Sequence, residues 1–321
     1  MRAGLNPTRL QVRPGPWQSG GATVADYLVE RFPDDADRLR GAVAAGEVVD
    51  ELGRPFTPSS PAVPGGLVFL YREAPTDEPR VPFEIDVLHE DDDLLVVDKP
   101  HFLATTPRGV NVVETVLVRL RESTGIDQLS PAHRLDRLTA GVLVLTKRAA
   151  VRGVYQTLFQ RRAVTKVYEA VAPVVPGLEL PRVLRSRIVK TPGVMAAFEV
   201  DGEVNAETLV ELTRTWHAAD GTERGLYRLT PRTGKTHQLR LHLATLGAPI
   251  VGDDLYPTVL ERARDDFSTP LQLLARSLAF TDPLSGVARE LVSRRRLTAV
   301  PQEAVPQRAE RTSVRAKSSP T

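Results

Sequence analysis

Apolar residues recur at helical spacing twice near the N-terminus, through residues 24–28 and again through 39–43. Such spacing places them on one face of a helix, so two short helices are predicted. A strand-turn-strand pattern follows around Gly53, and the apolar run 67–71 predicts another strand. The charged, proline-rich stretch 72–82 is typical of a linker.

Beyond this stretch, apolar strands alternate with amphipathic helices. One helical face carries Val112, Val113, Val116, Leu117 and Leu120. Further helices are predicted at 151–159 and 236–247, and strands at two runs within 84–100, at 142–147, at 165–173 and at several runs within 182–231. The mixture indicates an α+β fold with a largely antiparallel sheet. We expect a small module over 1–80, a main domain over 81–300 and a disordered basic tail over 301–321.

Composition narrows the possible chemistry. The chain has 321 residues, of which 41% are hydrophobic and 26% charged, and it has no cysteine. Disulfides, thiolate metal sites and thiol nucleophiles are therefore excluded. Since the sequence has no apolar leader core and no stretch long enough to span a bilayer, we expect a cytoplasmic protein.

Charge is distributed unevenly. Residues 1–100 hold 10 Lys and Arg against 18 Asp and Glu, whereas the remainder holds 32 against 22. Between residues 132 and 166, Asp136 is the single acid among eight basic residues. This basic field suits a phosphate backbone, and a solvated charged face is the alternative.

Two segments carry candidate chemistry. In HRLDRLTAGVLVLTK, residues 133–147, Asp136 precedes an apolar strand, where it could act as a nucleophile, anchor a cation or form a structural pair with an arginine. Around the predicted helix start near residue 236, Arg232, Lys235 and Arg240 favour an anionic partner such as phosphate. Arg240 is also suited to bidentate binding of a carboxylate, and a simple capped helix is the alternative.

Together these segments resemble the RluA-type family of RNA pseudouridine synthases. The similar blocks occur in the family's order over residues 94–286. They are LLVVDKPHFLATTPRG, HRLDRLTAGVLVLTK, TKVYEAV, GKTHQLRLHLATLGAPIVGDDLY and LLARSLAFTDPLSG. The resemblance implies the pseudouridine synthase fold and isomerisation of uridine in structured ribosomal or transfer RNA, with no cofactor, no nucleotide and no metal.

The resemblance also assigns roles to residues. Asp136 falls on the aspartate that attacks the flipped uridine, at either the base or the ribose anomeric carbon. Tyr168 falls on the tyrosine that packs on the uracil ring and can take the proton from carbon 5. Arg240 falls on the basic residue that pairs with the aspartate. Arg134 is expected to support RNA where the base has left the stack, and Lys235 to bind substrate.

Two departures from the family pattern concern possible substrate contacts. His101 and Phe102 stand where a small residue commonly follows Lys-Pro, and Ala140 stands where serine is common in the catalytic turn. Residues 20–72 weakly resemble a ribosomal-protein-like RNA-binding module. Because this segment is acidic, a structural cap on the main domain is an equal alternative.

Rival functions rest on weaker patterns. Ser130, His133 and Asp136 could suggest a serine hydrolase, but they lie too close in sequence and lack a nucleophile elbow. A metal site at His133, His237 and His242 lacks the i, i+4 spacing of helical ligands. An RNA-binding protein without activity is the stronger rival. We expect a monomer.

Overall fold

A computed structural model describes residues 4–15, 21–71, 75, 77–191 and 193–301. The predicted basic tail beyond Pro301 and parts of the predicted linker lie outside the described residues. The helices are α1 (Val24–Arg31), α2 (Ala36–Ala44), α3 (Val116–Thr124), α4 (Ala149–Gln160) and α5 (Gln238–Thr245). The strands are β1 (Thr8–Gln11), β2 (Leu67–Leu70), β3 (Asp86–Glu90), β4 (Leu94–Lys99), β5 (Ser130–Pro131), β6 (Ala140–Thr146), β7 (Thr165–Pro173), β8 (Arg182–Val189), β9 (Phe198–Val200), β10 (Ala206–His217), β11 (Glu223–Pro231), β12 (Leu273–Thr281) and β13 (Ala288–Val292).

One large sheet dominates the fold. Within the described residues it has eleven strands, in the order β3-β4-β6-β12-β7-β11-β10-β8-β9, with β5 beside β6 and β13 beside β12. The β6–β12 pair is parallel, and the other strand pairs in this sheet are antiparallel. The predicted α+β class with a largely antiparallel sheet is therefore confirmed.

The centre of the sheet is buried on both faces. Every residue of β4 and β6 is buried, as is expected of apolar runs that lie between two packed layers. At the start of β6, Gly141 has φ +113°, and a Cβ there would lie 2.2 Å from the carbonyl oxygen of Ala275 on β12. The parallel pairing of these strands therefore requires glycine at position 141.

The N-terminal residues form a second hydrophobic cluster. Helices α1 and α2 and the β1–β2 pair enclose apolar side chains that include Leu28 and Leu39, both fully buried. The strand pair predicted around Gly53 is instead a turn with isolated bridges. Its geometry follows from Asp50, whose carboxylate accepts hydrogen bonds from the backbone N–H groups of Leu52 and Arg54.

The predicted helix through Val112 and Val113 begins later than expected. Thr115 caps α3, so the helix starts at Val116, and the two valines lie in the preceding loop. Their backbone N–H groups donate instead to the carboxylate of Glu78. The predicted helices at 151–159 and 236–247 and the strand at 165–173 are confirmed. None of the helices in the described part of the chain has the length and apolar character needed to cross a bilayer.

Candidate active site

A cleft of about 810 Å³ opens beside the strands at the middle of the sheet. Arg134, Asp136, Tyr168, Lys235 and Arg240 all line it. They come from the turn before β6, from β7, from the loop after β11 and from the first turn of α5. The structure therefore brings all five predicted site residues together.

Asp136 lies in the turn that joins β5 to β6 and is half-buried. Its backbone carbonyl accepts a hydrogen bond from the N–H of Thr139 at 3.1 Å. Among the described residues, its carboxylate has no hydrogen bond and no ion pair within 4.0 Å. A carboxylate with free lone pairs at the wall of a cleft is available to a ligand.

Side chains from the end of β4 and from the segment that follows it hold the backbone of this turn. Thr105 Oγ1 donates to the carbonyl of Leu135 at 2.7 Å, Lys99 Nζ to that of Arg137 at 3.1 Å, and His101 Nδ1 to that of Leu138 at 2.7 Å. With the Thr139 bond, the four carbonyls of residues 135–138 each accept a hydrogen bond. The turn is thus fixed through its main chain, while the Asp136 side chain stays free.

Lys99 is fully buried. Its Nζ also donates to the carbonyls of Pro100 at 3.0 Å and Leu103 at 2.6 Å. Burial lowers the pKa of Lys99 well below its ordinary value, and the negative charge of Asp136 opposes that shift. Because three acceptors require three N–H groups, the geometry fits the ammonium form.

Arg240 is 2% exposed and holds a carboxylate bidentately, but that carboxylate belongs to Asp253. A further bond joins it to Asp254 at 2.8 Å. Burial would lower the pKa of Arg240, yet the hydrogen bonds and charge of Asp253 outweigh burial and raise it. The expected direct pair with Asp136 is not formed in the described structure. Asp136 acts on Arg240 only as a nearby charge, because Asp253 occupies the guanidinium.

Tyr168 lies on β7, where its ring lines the cleft and packs against the main core. Burial, and then the charge of Asp136, raise the pKa of Tyr168 above its ordinary value. The phenol is therefore protonated at neutral pH. The residue offers the cleft an aromatic face beside a carboxylate.

Cations line the rest of the cleft. Among the described residues, the lining cations without an ion pair to an acid are Arg108, Arg134, Arg137, Lys166, Lys190 and Lys235. The acids that line the cleft are Asp136 and Asp254. The field at its mouth is therefore positive, and it suits a polyanion.

Comparisons with known proteins agree with this geometry. A family model described as RNA pseudouridylate synthase matches residues 93–245. The dual-specificity RNA pseudouridine synthase RluA of Vibrio parahaemolyticus is 35% identical over 206 residues, which cover 62% of this chain and 79% of that protein. A Synechocystis RNA pseudouridine synthase is 32% identical over 206 residues, covering 64% of this chain and 69% of that protein.

The chain belongs to the RluA-type family of RNA pseudouridine synthases. It is an isomerase that acts on RNA. The fold agrees, since human RNA pseudouridylate synthase domain containing 1 superposes with a TM-score of 0.50 at 23% identity. That superposition covers 67% of this chain and 85% of the human one.

The histidines of the two rival sites, His133, His237 and His242, have structural partners. His133 Nε2 accepts from the N–H of Val144 at 3.2 Å, and its ring stacks on Phe159. These contacts do not include Ser130, so the hydrolase arrangement is not assembled. His242 bonds Thr208 and Ser186 side chains. In the part of the chain that the structure describes, no group of three His, Asp or Glu could hold a metal ion.

Sequence reasoning missed Lys99, Asp253 and the structural use of His101. Phe102 is buried, and the His101 side chain bonds the Asp136 turn, so neither of these residues lines the cleft of the synthase. The burial of Lys99 could have been predicted, because it is the single lysine at the end of an apolar strand. Asp253 was not, because only the folded chain brings it to Arg240.

Proposed function

We propose that Asp136 is the nucleophile with which this synthase isomerises uridine in structured ribosomal or transfer RNA. The observation that carries the proposal is the free carboxylate of Asp136 at the wall of the cleft, beside the ring of Tyr168. A carboxylate nucleophile needs a lone pair that can reach the substrate. Asp253 and Asp254 are both engaged by Arg240.

The proposed reaction conserves the atoms of the base. Asp136 attacks the flipped uridine at the base or the ribose anomeric carbon, and the bond from nitrogen 1 to that carbon breaks. The uracil turns within the cleft and rejoins the ribose through carbon 5, and the bond to Asp136 breaks, which restores the carboxylate. Carbon 5 then loses its proton and nitrogen 1 gains one, so no oxidant or reductant is consumed.

Tyr168 would hold the base during this turn. Taking a base out of its stack costs a few kcal/mol, and stacking on an aromatic ring returns about 1–3 kcal/mol per base. The raised pKa of Tyr168 favours this packing role, because a general base works best with a pKa near neutral pH. Arg134, which is exposed and lines the cleft, would support the neighbouring RNA.

Lys235 and Arg134 are proposed to bind phosphates, since both are exposed and free of acidic partners among the described residues. Three arginines of the N-terminal module are used differently. Arg38, Arg40 and Arg54 form ion pairs with acids of the module itself, at 3.0, 3.8 and 2.7 Å. Their pairing favours a structural cap over an RNA-binding role for residues 1–80.

Tritium release tests the activity. The purified protein and its Asp136→Asn variant would each be mixed with unmodified ribosomal and transfer RNA transcripts labelled at uracil carbon 5. We expect release by the native protein from one class, a loss of at least about 10⁴-fold in the variant, and equal RNA affinity. RNA binding without release from either class would favour the inactive RNA-binding protein instead.

The proposal also places the enzyme in the cytoplasm, as a monomer with catalytic residues in 81–300. The placement of the catalytic residues in 81–300 is supported by the cleft, since all five site residues that line it fall in that range. Light scattering over a range of protein concentrations tests the monomer, since a mass that rises with concentration would contradict it. Cell fractionation tests the location.

A further inference from the structure

A short strap, residues 77–83, fastens one wall of the cleft from outside the region that matches the family model. The wall is the loop between Ala104 and Thr115, which are bridged at its base. Its tip, the Arg108 turn (residues 108–111), is closed by hydrogen bonds of 2.8 and 3.2 Å between Arg108 and Asn111. Arg108, Gly109 and Asn111 line the cleft.

Glu78 is the centre of the strap. Its carboxylate accepts from the N–H of Val112 at 2.9 and 3.1 Å, of Val113 at 2.8 Å and of Glu114 at 3.1 Å. Three consecutive N–H groups that point at one anion form a backbone nest. These bonds also explain why α3 starts at Val116.

Neighbouring contacts extend the fastening on both sides. Arg264 joins Asp77 at 3.1 Å and the carbonyl of Val110 at 3.3 Å. The N–H of Val81 donates to the Glu114 side chain at 2.8 Å. The strap is therefore linked to the tip of the loop through Arg264, and it touches the loop itself along residues 112–114, next to α3.

We propose that Glu78 is a positioning residue for substrate, which holds the Arg108 turn so that Arg108 binds an RNA phosphate. The inference rests on the proposed function, because it takes RNA as the ligand of the cleft. Arg108 is exposed and lacks an acidic partner among the described residues, so its charge is available. The reaction itself does not involve Glu78, which binds only backbone in the resting structure.

The direction of the change in RNA binding separates this positioning role from a general effect of charge. Removing a negative charge near the cleft should strengthen RNA binding, because phosphates are repelled less. If Glu78 holds the turn, Glu78→Gln should do the opposite, since an amide puts N–H groups against the N–H groups of the nest. Glu84→Gln is the matched control, because Glu84 is exposed and its side chain contacts no loop residue among those described.

Kinetics of tritium release and RNA affinity against salt would be measured for both variants, for Arg108→Gln and for the Glu78→Gln, Arg108→Gln double variant. We expect Glu78→Gln to raise KM about tenfold with kcat unchanged. Its log–log salt slope should fall by about one, the loss of one phosphate contact. The double variant should bind no more weakly than Arg108→Gln alone. Glu84→Gln should leave KM equal or lower.

Three results would overturn the proposal: a KM for Glu78→Gln at or below that of the native protein, a loss of kcat at unchanged KM, or additive effects in the double variant. Hydrogen exchange adds a readout without RNA, since the N–H groups of 112–114 should exchange faster in Glu78→Gln. If the native protein releases no tritium, the proposed function fails. The strap is then still tested by RNA affinity, salt slope and exchange.

Discussion

Two turns beside the cleft each contain an aspartate that the fold holds in place, Asp136 and Asp253, and they are held in opposite ways. The Asp136 turn is held through its carbonyls by Thr105, Lys99 and His101, and its carboxylate is free. The turn after Ile250 is held through the Asp253 carboxylate itself. That group binds Arg240 and also accepts from the N–H groups of residues 255 and 256, at 2.8 and 3.0 Å.

The difference shows how neighbouring turns can leave one carboxylate free for a ligand and use another to hold the fold. A carboxylate that satisfies its own lone pairs stabilises the fold and loses its reactivity. A carboxylate whose turn is fixed by other groups keeps its lone pairs available for a ligand. The sequence alone presents both simply as acids near basic residues.

Exchanging each aspartate for asparagine should separate the two roles most strongly. Asp253→Asn breaks the bidentate ion pair of the buried Arg240, which keeps Asp254 as a counter-charge, and we expect it to lower the free energy of unfolding by about 3 kcal/mol. Asp136→Asn removes no bond, so its unfolding free energy should stay within about 0.5 kcal/mol. Urea unfolding measures both. An equal loss of unfolding free energy in the two variants would contradict the proposal that the two turns are held in different ways.

Removing Lys99 tests the main-chain support of the Asp136 turn. Lys99→Met keeps the apolar stem but deprives three carbonyls of their donor, and we expect a loss of about 3 kcal/mol in unfolding free energy. Turnover at a temperature where the variant remains folded should fall as well, because the turn is free to move. A stabilised variant with full turnover would show that Lys99 only fills space.

How much of the fold could be predicted from the sequence depends on how far apart the interacting residues lie along the chain. Helix α4 and strand β7 follow local periodicity, so their positions were predicted. The start of α3 was not, because Glu78 lies more than thirty residues before the amides that it binds. Local spacing therefore continued the helix through Val112 and Val113.

The candidate site divides in the same way. The five residues were selected by resemblance, and the structure places them in one cleft. The predicted pairing of Arg240 with Asp136 was wrong. Asp136 and Asp253 are both candidate partners for the one guanidinium, and only the fold brings Asp253 nearer to it. The role of His101 could not be predicted either. Its side chain bonds the backbone carbonyl of Leu138, and such a bond does not depend on which residue type stands at position 138.

Acid should weaken the Asp136 turn before the Asp253 turn. Burial lowers the pKa of His101 from its ordinary value of 6.5 to about 4, so the unfolded chain binds more protons between these values. The contribution of His101 to the free energy of unfolding is therefore fully present above pH 6.5. It is lost as pH falls, by about 2 kcal/mol at pH 5. His133 contributes with the same sign, since burial lowers its pKa to about 3.

The measurement is urea unfolding between pH 7.5 and 5, with His101→Asn compared with the exposed control His217→Asn. We expect the His101 variant to show a shallower loss of unfolding free energy on acidification, and the control to follow the native protein. Equal slopes in all three proteins would mean that His101 titrates freely and does not hold Leu138 as a neutral donor.

The smallest expected effect concerns Thr105, whose hydroxyl donates to the carbonyl of Leu135 and accepts from its N–H at 3.2 Å. Thr105→Val keeps the shape and removes both bonds, so we expect a loss of about 1–2 kcal/mol in unfolding free energy. Thr106→Val is the control, because its hydroxyl has no hydrogen bond among the described residues. If Thr105→Val also lowers kcat more than Thr106→Val does, a main-chain bond next to Asp136 contributes to catalysis. An unchanged kcat would mean that Lys99 and His101 suffice to hold the turn.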